Sequence, residues 1–215
     1  GPVHLLARIA ITLAQAGERD IALAVLEKYQ RALDSTDFIS TDDIYYVMGG
    51  DIKTARHFHY ESLRLEKRIK ILVAAASVLA QIGEIDEVRT IIRKLTKIAS
   101  RIKFKKGRLR VHQLIATVLI QIGEKDKALV SLRRAQTIID RRGIEFCCDL
   151  DLQLFAAILF QVGERRQALA MIRKAQKISD QTERNKCKDL SYLRIASILA
   201  DAGEFGQARE VADQI

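Results

Sequence analysis

Small and apolar residues recur at helical spacing along most of the chain, and the clearest instance runs from Ile115 to Ile138. They stand three and four residues apart before Gly123, and the same spacing returns after it. Such spacing places each set on one face of a helix. The pattern therefore predicts two helices joined at Gly123. The apolar positions are Ile115, Ala116, Leu119 and Ile122 in the first helix, and Ala128, Leu129, Leu132 and Ala135 in the second.

The same unit occurs five times when the chain is aligned on the turn glycine. A residue just past a helix end often has a positive φ, which glycine adopts without a Cβ clash. The last four glycines are 40 residues apart, and the first precedes them by 66 residues, which leaves room for two units of 33 with Gly50 between them. Periods of roughly 20–50 residues are typical of solenoids. The turn glycines are Gly17, Gly83, Gly123, Gly163 and Gly203, in copies at 13–26, 79–92, 119–132, 159–172 and 199–212.

Two helices joined by so short a turn bury one face against each other and leave a second face that only a neighbouring copy can cover. We therefore predict an all-α fold, with stacked antiparallel helix pairs forming a single helical-repeat domain over 1–215. Asp42 and Asp43 fall where the other copies have apolar or small residues, so the second repeat is degenerate. The predicted repeats span 3–34, 35–64, 65–104, 105–144, 145–182 and 183–215.

The unit resembles the tetratricopeptide repeat (TPR), a helix–turn–helix module of about 34 residues. The resemblance implies a right-handed superhelical solenoid whose first helices line a concave, partner-binding face. The chain departs from the family because it has no closing proline and a period of 40 residues in its second half, so other α-solenoids remain an alternative. The residues that carry the resemblance are a small residue in the first helix (Ala10, Ala76, Ala116, Ala156, Ala196), a small one early in the second (Ala22, Val88, Ala128, Ala168, Ala208) and a large one after it (Leu26, Ile92, Leu132, Ile172).

Composition agrees with a helical core, since 48% of the residues are hydrophobic and the one proline is Pro2. The sequence has no apolar stretch of the roughly 18 residues that a membrane span needs and no secretory signal. Three cysteines without a disulfide framework, Cys147, Cys148 and Cys187, favour a reducing, cytoplasmic compartment. Gly1 and Pro2 have the form of a cleaved-tag remnant, and both ends fall inside predicted helices. We therefore expect an excerpt of a longer protein.

The sequence predicts no catalytic, cofactor or metal site. His57 and Glu61 could share a helix face, but they supply at most half of a zinc site. A glutamate follows each turn glycine, as in Glu124, and a carboxylate is favoured there by the helix macrodipole. No phosphate-binding glycine loop, nucleophile elbow or zinc-protease motif occurs. We therefore expect a non-enzymatic chain.

Ten basic residues and no acidic one lie between Val88 and Gly123, in a chain whose formal net charge is +9. Such a patch attracts acidic segments or nucleic acid through salt-sensitive electrostatics. The alternative is a solvated edge balanced by nearby acids. Phe104 is the one aromatic residue of the run, so nucleic acid would be bound mainly through phosphates. The predicted basic patch comprises Arg93, Lys94, Lys97, Arg101, Lys103, Lys105, Lys106 and Arg108.

Outward positions on the first helices repeat amides and small residues, which predicts a groove that can accept a backbone or a helix closely. We predict a protein–protein interaction scaffold that binds a peptide, a helix or an acidic segment in this groove. The alternatives are nucleic-acid binding through the basic patch, and a regulatory or sensor arm of an enzyme whose catalytic domain lies outside this chain. The amides could equally serve helix-end solubility. The predicted groove residues are Gln15, Lys70, Ser77, Gln81, Arg110, Gln113, Thr117, Gln121, Gln153, Gln161, Arg194 and Ser197.

Overall fold

The computed structural model describes residues 9–10, 12–34, 52–102, 105–141, 149–181 and 185–215, which are helical apart from the turns and helix ends. The prediction of an all-α fold is confirmed. The chain divides into two compact units, Gly1–Leu95 and Thr96–Ile215. Helical residues 12–15 come first. The helices that follow are α1 (Arg19–Asp34), α2 (Ile52–Gln81), α3 (Ile85–Arg101), α4 (Lys105–Gln121), α5 (Lys125–Asp140), α6 (Asp149–Val162), α7 (Arg165–Asp180), α8 (Asn185–Asp201) and α9 (Phe205–Ala212).

A glycine with positive φ ends the first helix of each repeat. At Gly123 the backbone φ is 76°. The Gly123 N–H donates to the Ile120 carbonyl at 2.9 Å, and the Glu124 N–H donates to the Leu119 carbonyl at 2.9 Å. These two bonds form a Schellman motif, which satisfies carbonyls that the helix end would leave open. The same bonds and a positive φ recur at Gly17, Gly83, Gly163 and Gly203, so the five glycines occupy equivalent turns, as predicted.

We expect Gly123→Ala to lower the free energy of unfolding by about 1–2 kcal/mol, because an L-residue is strained at positive φ. A Cβ at this position would meet no atom within 4 Å, so the loss comes from the backbone and not from packing. Urea unfolding measures the change. The matched control is Gly206→Ala inside α9, where a Cβ also meets nothing and φ is not positive. That change should stabilise the fold by about 0.5–1 kcal/mol; two effects of the same sign would contradict the turn assignment.

In the first unit, α1 packs against α2, and Arg19 at the start of α1 forms an ion pair with Glu84 in the turn between α2 and α3. Helix α2 runs unbroken for 30 residues, so the predicted repeat boundary at 64 and 65 falls inside it. Residues 35–51, which include Gly50, lie outside the described residues, as do the side chains of His57 and Glu61.

The second unit is a stack of three helix pairs, α4–α5, α6–α7 and α8–α9. The first helices contact one another in order, α4 with α6 and α6 with α8, while α5 contacts α6 and α7 contacts α8. Each pair is thus covered by the next, as the repeat pattern predicts. The second helices bury a single stripe at spacings of three and four, which in α5 consists of Ala128, Ser131, Leu132, Ala135 and Ile139.

The small residues that carry the TPR resemblance lie where helices approach most closely. Ala116 in α4 and Ala156 in α6 are 0% exposed, and so are Ala128 in α5 and Ala168 in α7. Interiors are close-packed, so a position with no exposed area next to a second helix backbone has little room for a longer side chain. The last pair is less covered, since Ala196 in α8 is half-buried.

His112 joins α4 to α5. The Ser131 hydroxyl donates to the His112 carbonyl at 2.9 Å and lies 3.4 Å from the His112 Nδ1. Burial lowers the pKa of His112 below its ordinary value of 6.5, and the charges of Arg134 and Arg108 lower it further. The folded chain therefore favours the neutral imidazole.

We expect the free energy of unfolding to fall as the pH drops through 6.5, the pKa of a histidine in the unfolded chain. The unfolded chain takes up the proton at a pH where folded His112 is still neutral, so acid favours unfolding. Urea unfolding at several pH values on either side of 6.5, for the parent and for His112→Gln, measures this contribution. The variant should lose part of the pH dependence; identical slopes would contradict the prediction.

Candidate functional site

The first helices of the second unit present a repeated polar residue in their last turn and a smaller residue one turn earlier. Gln121, Gln161 and Asp201 are exposed at the equivalent positions of α4, α6 and α8. One turn earlier, Thr117 is half-buried and Ser197 is exposed. Because neighbouring first helices are in contact, these positions form rows across the unit.

A cleft of about 210 Å³ lies between α6 and α8 on this face. Since one water molecule takes up about 30 Å³ of the liquid, the cleft has the volume of about seven waters. It can therefore hold a single side chain but not a folded element. Its walls are apolar, with an amide and a carboxylate at the rim; the lining residues are Ala157, Phe160, Gln161, Ile198, Asp201 and Ala202. We call this feature the cleft.

Two of the predicted groove residues lie inside the stack, which corrects their assignment to the groove surface. Gln113 is 0% exposed and its Nε2 donates to the Asp151 carbonyl of the next pair at 2.8 Å. Gln153 is 1% exposed and its Nε2 donates to the Ser191 hydroxyl at 2.7 Å. These amides bond one helix pair to the next, so a ligand on the surface cannot reach them. Ser191 and Ser179 continue the network at 2.6 Å.

Arg110, another predicted groove residue, is exposed and faces a carboxylate. Its Nη1 lies 3.5 Å from Asp151 Oδ1, and Lys106 Nζ lies 3.6 Å from Asp151 Oδ2. The Asp151 side chain is only 3% exposed, so it gains its compensation from these two cations. Asp151 was not singled out by the sequence, because its burial depends on residues more than 40 positions earlier in the chain.

The remaining groove residues are divided between the two units. Arg194 is exposed on α8 in the second unit. In the first unit, Gln15, Lys70 and Gln81 are exposed and Ser77 is half-buried. All five are reachable by a ligand, but none of them lines the cleft.

The basic patch is divided in the same way. Arg93 and Lys94 belong to the first unit, and the other members belong to the second. On α3, Arg93, Lys94, Lys97 and Arg101 are exposed, whereas Lys105 and Arg108 on α4 are half-buried. Lys106 is occupied by Asp151, and Lys103 lies outside the described residues. The exposed cations of the run are thus concentrated on α3.

Within the described ranges, no group of three or more His, Cys, Asp or Glu side chains is placed to hold a metal ion. No helix in the same part of the chain is both long and apolar enough to cross a bilayer. The cysteines Cys147 and Cys148 lie outside the described residues, as does the side chain of Cys187.

No family model matches the chain, and no curated protein matches it. Solved structures do resemble it. One is a candidate kinesin light chain of Podosopora anserina with nearly identical TPR-like repeats, at a TM-score of 0.55 and 15% identity over 100% of this chain and 94% of that chain. A single-residue variant of the same protein matches at a TM-score of 0.52 and 14% identity, over 99% and 92%. This chain therefore has the fold of TPR-like helical repeats.

Proposed function

We propose that this chain is a protein–protein interaction module that takes a peptide or helix of its partner against the first helices of the second unit. The observation that carries the proposal is the cleft, whose apolar walls are formed by two adjacent repeats. Binding sites in proteins are concave, mostly apolar and furnished with a few polar groups that fix orientation. An apolar side-chain stem of the partner would enter between Phe160 and Ile198.

The polar groups at the rim support the same proposal. Gln161 has an amide that can both donate and accept hydrogen bonds to a peptide backbone. The exposed rows on either side, with Gln121 and Ser197, offer further donors and acceptors without bulky side chains. A segment laid across α4, α6 and α8 would thus find backbone partners in each repeat and one anchor point in the cleft.

Selection from a library of short random peptides, followed by measurement of the dissociation constant, tests the proposal. Ala157 lines the cleft and is half-buried, so Ala157→Phe should fill the cleft and weaken the selected peptides at least tenfold. Loss of one well-buried anchor typically costs about 2 kcal/mol or more, which is more than tenfold. The matched control is Ala170→Phe, the same change at an exposed position of α7.

Equal affinities of the two variants, or a library that yields no binder, would overturn the proposal. Both variants must unfold with the same cooperativity as the parent, since a change of fold would also weaken binding. A melting curve recorded for each variant makes this check.

The exposed cations of α3 favour a second candidate, binding of a polyanion such as nucleic acid or an acidic segment. Arg93, Lys97 and Arg101 are four residues apart and so share one helix face. The reversal Arg93→Glu, Lys97→Glu, Arg101→Glu should abolish binding to a labelled DNA duplex. Binding to phosphates should also weaken by orders of magnitude between about 50 and 200 mM salt. Salt-independent binding, or binding unaffected by the reversal, would exclude this candidate.

A further inference from the structure

We infer that the side chain seated in the cleft is cationic, a lysine or arginine of the partner, with its charge at Asp201. The inference rests on the proposed function, since it names the chemistry of the ligand at that site. It starts from a departure within the repeat. The position is Gln in α4 and α6, as Gln121 and Gln161, but Asp in α8. Asp201 is exposed at the rim of the cleft.

Asp201 makes no hydrogen bond or ion pair to any of the residues that the structure describes. Its nearest acidic neighbour along the chain, Glu204, is 6% exposed and is already paired with Arg165. That pair is neutral as a whole, so the rim of the cleft carries the single negative charge of Asp201. A ligand cation would find this carboxylate uncompensated.

The helix ends around the cleft add to the negative potential. The cleft lies at the carboxyl ends of α6 and α8, where each helix macrodipole places a partial negative charge. Cations are favoured in the last turn of a helix, yet neither α6 nor α8 has a basic residue there. Asp201 stands in that turn with the unfavourable sign. An acid that opposes its own helix dipole and has no partner in the fold points to a cation supplied from outside.

The overall charge of the chain has the opposite sign, +9, and would attract anionic partners at long range. Its effect at the cleft is small, because the Debye length is about 8 Å at physiological ionic strength. A ligand ammonium in contact with Asp201 lies well inside that distance. The local carboxylate therefore decides which charge is favoured in the cleft.

The shape of the cleft agrees with lysine or arginine. Both side chains bury an apolar stem while the charged head stays in water. The walls of Phe160, Ile198 and Ala202 suit the stem, and Asp201 together with the Gln161 amide oxygen lies at the rim where the head would emerge. A purely apolar side chain would leave the carboxylate without a partner.

The test uses short amidated peptides in which one position is lysine, arginine, norleucine or glutamate. Norleucine keeps the stem of lysine and removes its charge. We expect lysine and arginine to bind about twofold to fivefold more tightly than norleucine, as for a partly exposed ion pair, and glutamate to bind most weakly. In Asp201→Asn the preference for lysine over norleucine should disappear. Asp189→Asn makes the same change of charge elsewhere on α8 and should keep it.

A thermal melt separates this role from a structural one. Because the acid opposes the dipole, Asp201→Asn should raise the melting temperature by about 1–3 °C while it weakens binding of the lysine peptide. A lower melting temperature would mean that the carboxylate stabilises the fold, and the inference would be overturned. Equal binding of lysine and norleucine peptides, both lost in Ala157→Phe, would also overturn it and leave the cleft as the binding site. If Ala157→Phe weakens neither peptide, the proposed function itself fails.

Discussion

Phe155→Ala should lower the free energy of unfolding by about 3–5 kcal/mol, the largest effect expected of a single substitution in this chain. Phe155 is 1% exposed and sits on α6, which contacts the helix pairs on both sides. Truncation removes the transfer free energy of the ring and leaves a cavity that the helices only partly close. In a repeat protein each pair is held by its neighbours, so weakening the middle pair also loosens the stack of α4–α5 on α8–α9.

Urea unfolding followed by circular dichroism measures this loss. Phe205→Ala is the matched control, because Phe205 lies in the same unit and is 72% exposed. That substitution should change the free energy of unfolding by less than about 0.5 kcal/mol. Similar losses for the two phenylalanines would mean that α6 is not the central helix of the unit.

Ala128→Leu should lower the free energy of unfolding by about 1–3 kcal/mol, although it adds apolar surface. Ala128 is 0% exposed in the first turns of α5, where α5 packs against α4. Extra methyl groups in a close-packed position force side chains off their rotamers or push the helices apart. The loss is therefore one of fit and not of hydrophobicity.

Ala170→Leu is the control for this change, since Ala170 is exposed on α7 and makes the same substitution in the same kind of helix. Its effect should stay within about 0.5 kcal/mol. A melting temperature of Ala128→Leu equal to that of the parent would show that this helix face is not the buried one.

The features that the sequence predicted correctly are local or strictly repeated. A positive φ is a property of one residue and its neighbours, so Gly123 and its counterparts could be assigned to turns from the pattern alone. Ala116 and Ala156 repeat at 40 residues inside an apolar stripe, and both are fully buried. The helix pairing followed from the same two signals.

The sequence could not decide which polar side chains face solvent. Gln153 and Gln161 look alike in the pattern, but Gln153 is buried by the next pair and Gln161 is exposed. The difference depends on how far each helix is rotated when the pairs stack, which is a property of contacts distant in sequence. The one available signal was that Gln113 and Gln153 recur at the same register between apolar neighbours. The cleft was missed for the same reason, since Ile198 and Phe160 meet only in the stack.

Chemical-shift mapping of the isotope-labelled chain during titration with a selected peptide tests the central claim most directly. The account predicts that the largest perturbations fall on α6 and α8 around the cleft, at the amides of Ala157 and Asp201 and at the methyl groups of Ile198. Perturbations concentrated on the outer faces of α5 and α7, at Val130 and Ala170, with the cleft signals unmoved, would contradict it.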